Sequence, residues 1–252
     1  IPLMFGYDVI HGHRTIFPIP LAEACSWDMD VIEKTARLSA KEAAASGLNW
    51  TFNPMIDISR DPRWGRIAEG AGEDPFLASE IAKAKVNGYQ GKSLDDPLTL
   101  AACMKHMAGY GASQAGRDYH TVNMSERRLR EVFLPPFKTA VEAGVASVMT
   151  AFNEMNGIPA TGNKLLLNEI LRQQWNFKGM VVTDYTSINE MTDHGYARNL
   201  KHAGELALKA GVDMDMQGGV YRDYLKESVK SGKVSEAQIN RAVRNVLGMK
   251  YD

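Results

Sequence analysis

The sequence predicts an α/β fold, a (β/α)8 TIM-like barrel of which this chain is an incomplete piece, and three observations predict it. Short apolar runs rich in Val, Ile, Met and Phe alternate with longer amphipathic stretches. The runs are apolar on both faces, as in a parallel sheet covered by helices. Polar and ionisable residues fall again and again just after them: Asp8, then Asp57 and Arg60, then Lys105 and His106, then Asn153 and Glu154, then Asp184, then Asp215. A barrel gathers its site from several strands at that end, whereas an open sheet concentrates it at one switch point.

Taken in order, the strand runs are Leu3 to Tyr7, Trp50 to Ile56, Thr99 to Met104, Val145 to Phe152, Met180 to Thr183 and Val212 to Met216. Each is a short, largely apolar run that reads as a buried strand. Helices are predicted over Met29 to Ala45, Pro75 to Tyr89, Ser125 to Ala143, Asn163 to Gln174, Asn199 to Lys209 and Tyr221 to Ser231. Ser125 is a favoured N-cap, and Gly47, Gly144, Gly211 and Gly232 stand where helices should end. Six strands fall short of the eight that a full barrel needs. The chain opens on a run already under way and closes on the helical Val246 to Lys250, so residues 1–252 read as one barrel domain cut from a longer chain. No linker, composition shift or fixed-period repeat divides it.

The composition is 44% hydrophobic and 23% charged, which suits a folded globular chain and excludes disorder, collagen and coiled coil. With 29 basic against 30 acidic residues there is no bulk positive field to recruit nucleic acid or anionic lipid. No apolar run approaches the ~20 residues of a membrane span. Cys25 and Cys103 are too few for a disulfide scaffold or a structural zinc site.

Several near-motifs fail on inspection. Gly91-Lys92-Ser93 ends like a phosphate loop, but Val86 stands where its first glycine belongs. Gly111-Ala112-Ser113-Gln114-Ala115 resembles a nucleophile elbow, yet closes on alanine. His11 and His13 lack the helical spacing of a metalloprotease pair, so neither metal nor cofactor is expected.

Carboxylates and cations at strand ends suit sugar chemistry, because glycosidic cleavage passes through an oxocarbenium-like transition state that a carboxylate stabilises or attacks. Asp184, ending the run Gly179 to Thr183 and followed by Tyr185, is the candidate; its alternative is a helix cap. Arg63 and Arg66 flank Trp64 in a polar loop, where the arginines either bind hydroxyls or pair with Asp61, Glu69, Glu73 or Asp74. The tryptophan either packs on a sugar face or supports the loop. Lys105 and His106 are adjacent, and strand alternation sends neighbours to opposite faces. Both enter one pocket only if the backbone bulges or adopts an unusual peptide there. A Schiff base at Lys105, as in a barrel aldolase, is the competing chemistry.

Together these residues resemble a known family. Gly6-Tyr7-Asp8-Val9-Ile10-His11-Gly12, Arg60-Asp61-Pro62-Arg63-Trp64-Gly65-Arg66, Gly72-Glu73-Asp74-Pro75, Lys105-His106 and Val181-Val182-Thr183-Asp184 are similar, in order and across essentially the whole chain, to the successive motifs of the family-3 glycoside hydrolases, in their bacterial beta-glucosidase branch. The resemblance implies the N-terminal barrel of a retaining, exo-acting beta-glycosidase that removes terminal beta-D-glucosyl residues from oligosaccharides or beta-glucosides. It implies Asp184 as nucleophile and Asp8, Arg66, Lys105 and His106 as ligands of the terminal sugar. Met149 matches a pocket position of the family. Phe152 stands where many relatives carry tyrosine, and Tyr185 where many carry tryptophan, which bears on substrate preference. The general acid is expected from a C-terminal domain absent from this chain; Asp118-Tyr119-His120 has superficially the form of a histidine-assisted acid. A periplasmic or secreted location follows from the resemblance alone. A barrel that binds sugar without cleaving it, inactive through truncation, is the remaining alternative.

Overall fold

The computed structural model describes residues 1–251. The apolar runs condense into short parallel strands: β1 (Gly6–Tyr7), β2 (Trp50–Thr51), β3 (Ala101–Met107), β4 (Ser147–Thr150) and, beyond a hairpin of β5 (Glu154–Met155) and β6 (Ile158–Pro159), β7 (Met180–Val182). The sheet runs β1-β2-β3-β4-β7, and every neighbouring pair is parallel. Spatial order follows chain order without reversal, which is the winding of a barrel rather than of a doubly wound open sheet. The sixth expected strand, Val212 to Met216, contributes a single bridge from Met214 to Val182. No pairing joins that segment to β1 among the described residues, so the barrel is not closed within them. No helix of the described residues is long and apolar enough to cross a membrane.

Strand alternation sorts the core into two layers. Ala102, Met104, Val148 and Val181 face the helices and join the large outer core with Ile32, Leu77, Phe137 and Leu167. Ala101, Cys103, Met149, Met180 and Val182 face inward and pack with Trp50, beside Met214 and Met216. Cys103 lies buried in that inner layer while Cys25 is exposed, and both are free thiols.

The helices form where cap and pattern agree. Met29–Ala45 starts on Asp28, whose side chain accepts from the Val31 N–H at 3.0 Å. Pro75–Gln90 starts on Asp74, which accepts from the Leu77 N–H at 2.7 Å, with Pro75 in the first turn where no N–H is missed. These two helices pack closely at Gly88, where a Cβ would stand 2.5 Å from the Glu33 carbonyl oxygen. Between them lies a buried ion pair, Lys85 Nζ to Glu23 Oε2 at 2.8 Å, with the Thr35 hydroxyl also donating to Glu23. Tyr89 donates its phenol proton to the Val9 carbonyl at 2.8 Å. Both contacts anchor the loop that leaves β1.

Three expectations need correction. The helix expected over Ser125 to Ala143 is broken: Ser125 does cap Glu126–Arg128, but Leu129–Phe133 widens into a π turn, and the α-helix resumes at Pro135–Glu142. Pro135 and Pro136 have no N–H to continue the ladder, and the Leu134 N–H bonds five residues back to Leu129. The run Trp50 to Ile56 stops regular strand pairing at Thr51 ahead of Pro54; beyond it the Asn53 carbonyl accepts from the Cys103 N–H at 2.8 Å and Met55 bridges to Lys105. The hairpin β5/β6 was not anticipated, although it turns on Asn156-Gly157, both with positive φ (51° and 84°), a strong hairpin dipeptide.

At the end where the strands begin, Arg172 donates to the Phe177 and Gly179 carbonyls and to Asp213 Oδ2 at 2.7 Å. Asp213 also accepts from Val181 N at 2.9 Å and from Asn245 Nδ2 at 3.0 Å. This network ties the last strand segment to the helix Glu236–Tyr251.

Candidate active site

The opposite end of the sheet carries the ionisable groups. Asp8 follows β1 directly, Lys105 and His106 lie in β3, Arg66 sits in the 3₁₀ turn Gly65–Glu69, and Asp184 lies two residues past β7. The Lys105–His106 peptide is cis, and the ladder to β4 shifts between Met104 and Met107. With the register shifted there, both side chains reach the same group of carboxylates. Lys105 Nζ lies 2.6 Å from Asp8 Oδ1, and His106 Nε2 lies 3.3 Å from Asp184 Oδ2.

Around His106 the contacts are dense. Its Nδ1 lies 2.8 Å from Asp57 Oδ2, and the same oxygen accepts from the His106 backbone N–H at 2.9 Å. Nε2 lies 3.2 Å from Arg66 Nη2. Arg66 in turn forks onto Glu69, Nε to Oε1 at 2.7 Å and Nη2 to Oε2 at 2.9 Å. Of the two roles open to that arginine, pairing and site contact, the geometry gives it both. Arg63 is bound to Asp61 alone, 2.7 Å from its Oδ2.

Charges in the site follow from burial. Burial pushes the Asp184 carboxyl above the ordinary aspartate value, while the Tyr185 N–H at 2.7 Å and the Lys105 and Arg66 cations pull it back down. Burial, with Arg66 and Lys105 nearby, holds His106 well below the usual histidine value, so the ring is neutral. Burial takes Asp57 up to about 7 against the pull of the His106 N–H. Glu190, in the helix Ser187–Asp193, is likewise pushed up to about 7 by burial and by the neighbouring charges of Asp184 and Asp193.

The other expected residues fall in different settings. Phe152 is buried and packs edge-on against Tyr119 at 4.7 Å between centroids, with Tyr110 at 5.8 Å. Tyr185 is exposed beside Asp184. Met149 lies in the inner core layer, 2% exposed, beneath the strand ends. Trp64 is 1% exposed and donates its indole N–H to Asp118 at 2.9 Å, so it supports the loop and offers no sugar face. Asp118 is thereby committed to Trp64. The part of Asp57 as the partner of His106 had no sequence signal beyond its place after a strand run. Glu69 had its three-residue spacing from Arg66 to point to it, and Glu190 had no sequence signal. Among the described residues no group of three His, Cys, Asp or Glu side chains forms a cluster able to hold a metal.

Carboxylates and cations gathered at one end of a parallel, helix-covered sheet define the class: a TIM-like barrel domain with a carboxylate-centred site. The chain belongs to glycosyl hydrolase family 3, since the family described as "Glycosyl hydrolase family 3 N terminal domain" matches residues 1–249. Among its relatives are a periplasmic beta-glucosidase of Salmonella typhimurium, 48% identical over all of this chain and 33% of its own length, and a beta-xylosidase of Formosa agariphila, 38% identical over 96% of this chain and 35% of its own. The crystal structure of a beta-glucosidase from Listeria innocua in complex with glucose superposes with a TM-score of 0.98 at 48% identity, covering 100% of this chain and 35% of that one. The chain thus spans about a third of the length of the curated relatives it matches.

Proposed function

We propose that this chain is the nucleophile-bearing barrel domain, residues 1–252, of a retaining exo-acting beta-glycosidase that removes terminal beta-D-glucosyl residues from oligosaccharides or beta-glucosides. The observation that carries this reading is the Asp184 carboxylate at the end of β7, with one oxygen on the Tyr185 N–H and the other facing His106 and the cations of the strand ends. In the ionised form it attacks the anomeric carbon as the glycosidic bond breaks, giving a covalent glycosyl ester that water then hydrolyses. Asp8 and Lys105, paired but with Asp8 still half exposed, offer an acceptor and a donor to sugar hydroxyls; Arg66 and His106 complete the same subsite. Tyr185 supplies apolar surface at the rim, Phe152 is buried behind it against Tyr119 and Tyr110, and Met149 packs below.

The resemblance to the family implies that protonation of the leaving oxygen falls to a carboxyl group of a further domain; Asp118, which accepts from Trp64, is the histidine-assisted alternative within this chain. The aldolase alternative at Lys105 is weakened by its 2.6 Å ion pair, which gives that lysine the part of a fixed cation. A periplasmic or secreted setting accords with this substrate class. The test is intact mass after incubation with a 2-fluoro-glucoside bearing an activated leaving group. One added glycosyl unit on the parent and none on Asp184→Asn is the expected result; no adduct on the folded full chain overturns the assignment.

A further inference from the structure

Asp57 has no part in the chemistry above, yet it is 2% exposed and makes two contacts to one residue. A single oxygen, Oδ2, meets both the backbone N–H of His106 (2.9 Å) and its ring Nδ1 (2.8 Å), while Oδ1 has no hydrogen-bond partner among the described residues. On the far side of the ring, Nε2 faces Arg66 Nη2 at 3.2 Å and Asp184 Oδ2 at 3.3 Å. The edge of Tyr110, 5.2 Å between centroids, and the adjoining Lys105 complete the surroundings.

A guanidinium only donates, so its contact with Nε2 is a hydrogen bond only if Nε2 carries a lone pair. In a neutral ring the single proton then resides on Nδ1, directed at Asp57 Oδ2, an oxygen already fixed as an acceptor by the backbone N–H. We infer that Asp57 is a positioning residue: it fixes His106 as the Nδ1–H tautomer, so that Nε2 presents its lone pair to Arg66 and donates no proton to Asp184. The tautomer of a histidine is set by the bond its other nitrogen makes. The consequence is chemical. The Nε2 lone pair accepts from Arg66, a sugar hydroxyl could meet Nε2 only as a donor taking that place, and the nucleophile keeps its Oδ2 lone pair free for attack.

This geometry makes an unusual demand on substitution. In D57N the amide must still turn its oxygen to the backbone N–H of His106, and that oxygen serves Nδ1–H as well. D57N is therefore expected to keep the tautomer and to lose no more than about tenfold in kcat/KM, the effect of exchanging a charged for a neutral acceptor. D57A removes the acceptor, frees the ring to carry its proton on Nε2, and is expected to lower kcat by about a hundredfold or more.

The inference rests on the glycosidase reading for its rate effects, but the tautomer is read without substrate. The experiment is a long-range proton–nitrogen NMR spectrum of the full chain labelled in its histidine rings, with His106→Gln to assign the signal, beside steady-state kinetics on an aryl beta-glucoside. A neutral Nδ1–H ring in the parent and in D57N, with near-parental kinetics for D57N, supports the inference. A parent ring protonated on Nε2 or on both nitrogens overturns it, as does a D57N variant that keeps the tautomer but is crippled. If D57A does not fold, the parent and D57N spectra still decide. If the tautomer is as inferred but the parent takes up no glycosyl unit from an activated 2-fluoro-glucoside, the functional reading fails and the positioning role stands.

Discussion

Replacing Lys85 by methionine leaves the Glu23 carboxylate buried without its counter-ion, and this is the perturbation whose cost the structure defines best. The pair is 2.8 Å apart, with side chains only 6% and 8% exposed, so solvent cannot take over when one partner is removed. Stranding a buried charge in this way costs about 3–5 kcal/mol. The Thr35 hydroxyl remains as a donor to Glu23, which argues for the lower end of that range. With a urea m-value of ~2.5 kcal/mol/M, a loss of about 3 kcal/mol moves the unfolding midpoint down by about 1 M. The double variant Glu23→Leu/Lys85→Met removes both charges while keeping much of the volume, and is expected within ~1 kcal/mol of the parent. Urea melts followed by circular dichroism read all three. A single variant as stable as the parent, or a double variant as damaged as the single, refutes the reasoning that the pair matters through desolvation.

Further expectations follow from other contacts. Tyr89→Phe orphans the Val9 carbonyl next to Asp8 and should cost about 1–3 kcal/mol in the same melts, with KM rising more than kcat falls because the affected loop holds a sugar ligand. Gly88→Ala places a methyl 2.5 Å from the Glu33 carbonyl and should cost on the order of 2 kcal/mol by forcing the two helices apart, read as a lowered thermal midpoint. Because burial raises the Asp184 carboxyl above its ordinary 3.8, ionising it works against folding. Asp184→Asn should therefore raise thermal stability near neutral pH, with the gain shrinking as pH falls through the native value and vanishing below 3.8. Since Arg66 helps to pull that carboxyl down, Arg66→Gln should move the acid limb of kcat/KM to higher pH, and an unmoved limb would show that the arginine does not act on the nucleophile.

How much of this was legible in the sequence varies with the kind of signal. The helix Met29–Ala45 was readable to the residue because its cap, Asp28, and its apolar stripe are local. The parallel winding was readable because burial on both faces leaves a mark in each strand. The segment Val212 to Met216 has the composition of a strand but makes one bridge, since pairing depends on a neighbour and not on composition. Lys105 and His106 announced an irregularity by being two adjacent polar side chains where alternation sends only one to the site. Asp57 announced nothing: its meaning lies in one oxygen that meets a backbone and a ring proton together, which no spacing encodes. Trp64 was ambiguous for the same reason, its part being decided by Asp118, far along the chain.

The network of Arg172, Asp213 and Asn245 at the strand starts has a practical consequence for anyone who would alter the protein. It fastens the sheet from the side remote from the ionisable cluster and shares no residue with it. Substitutions made to retune the strand ends can therefore draw on a reserve of rigidity that they do not disturb, and effects introduced at the two extremities should sum independently. The molecule is, in that sense, a handle and a working tip, and only the tip needs to change for a new preference to be selected.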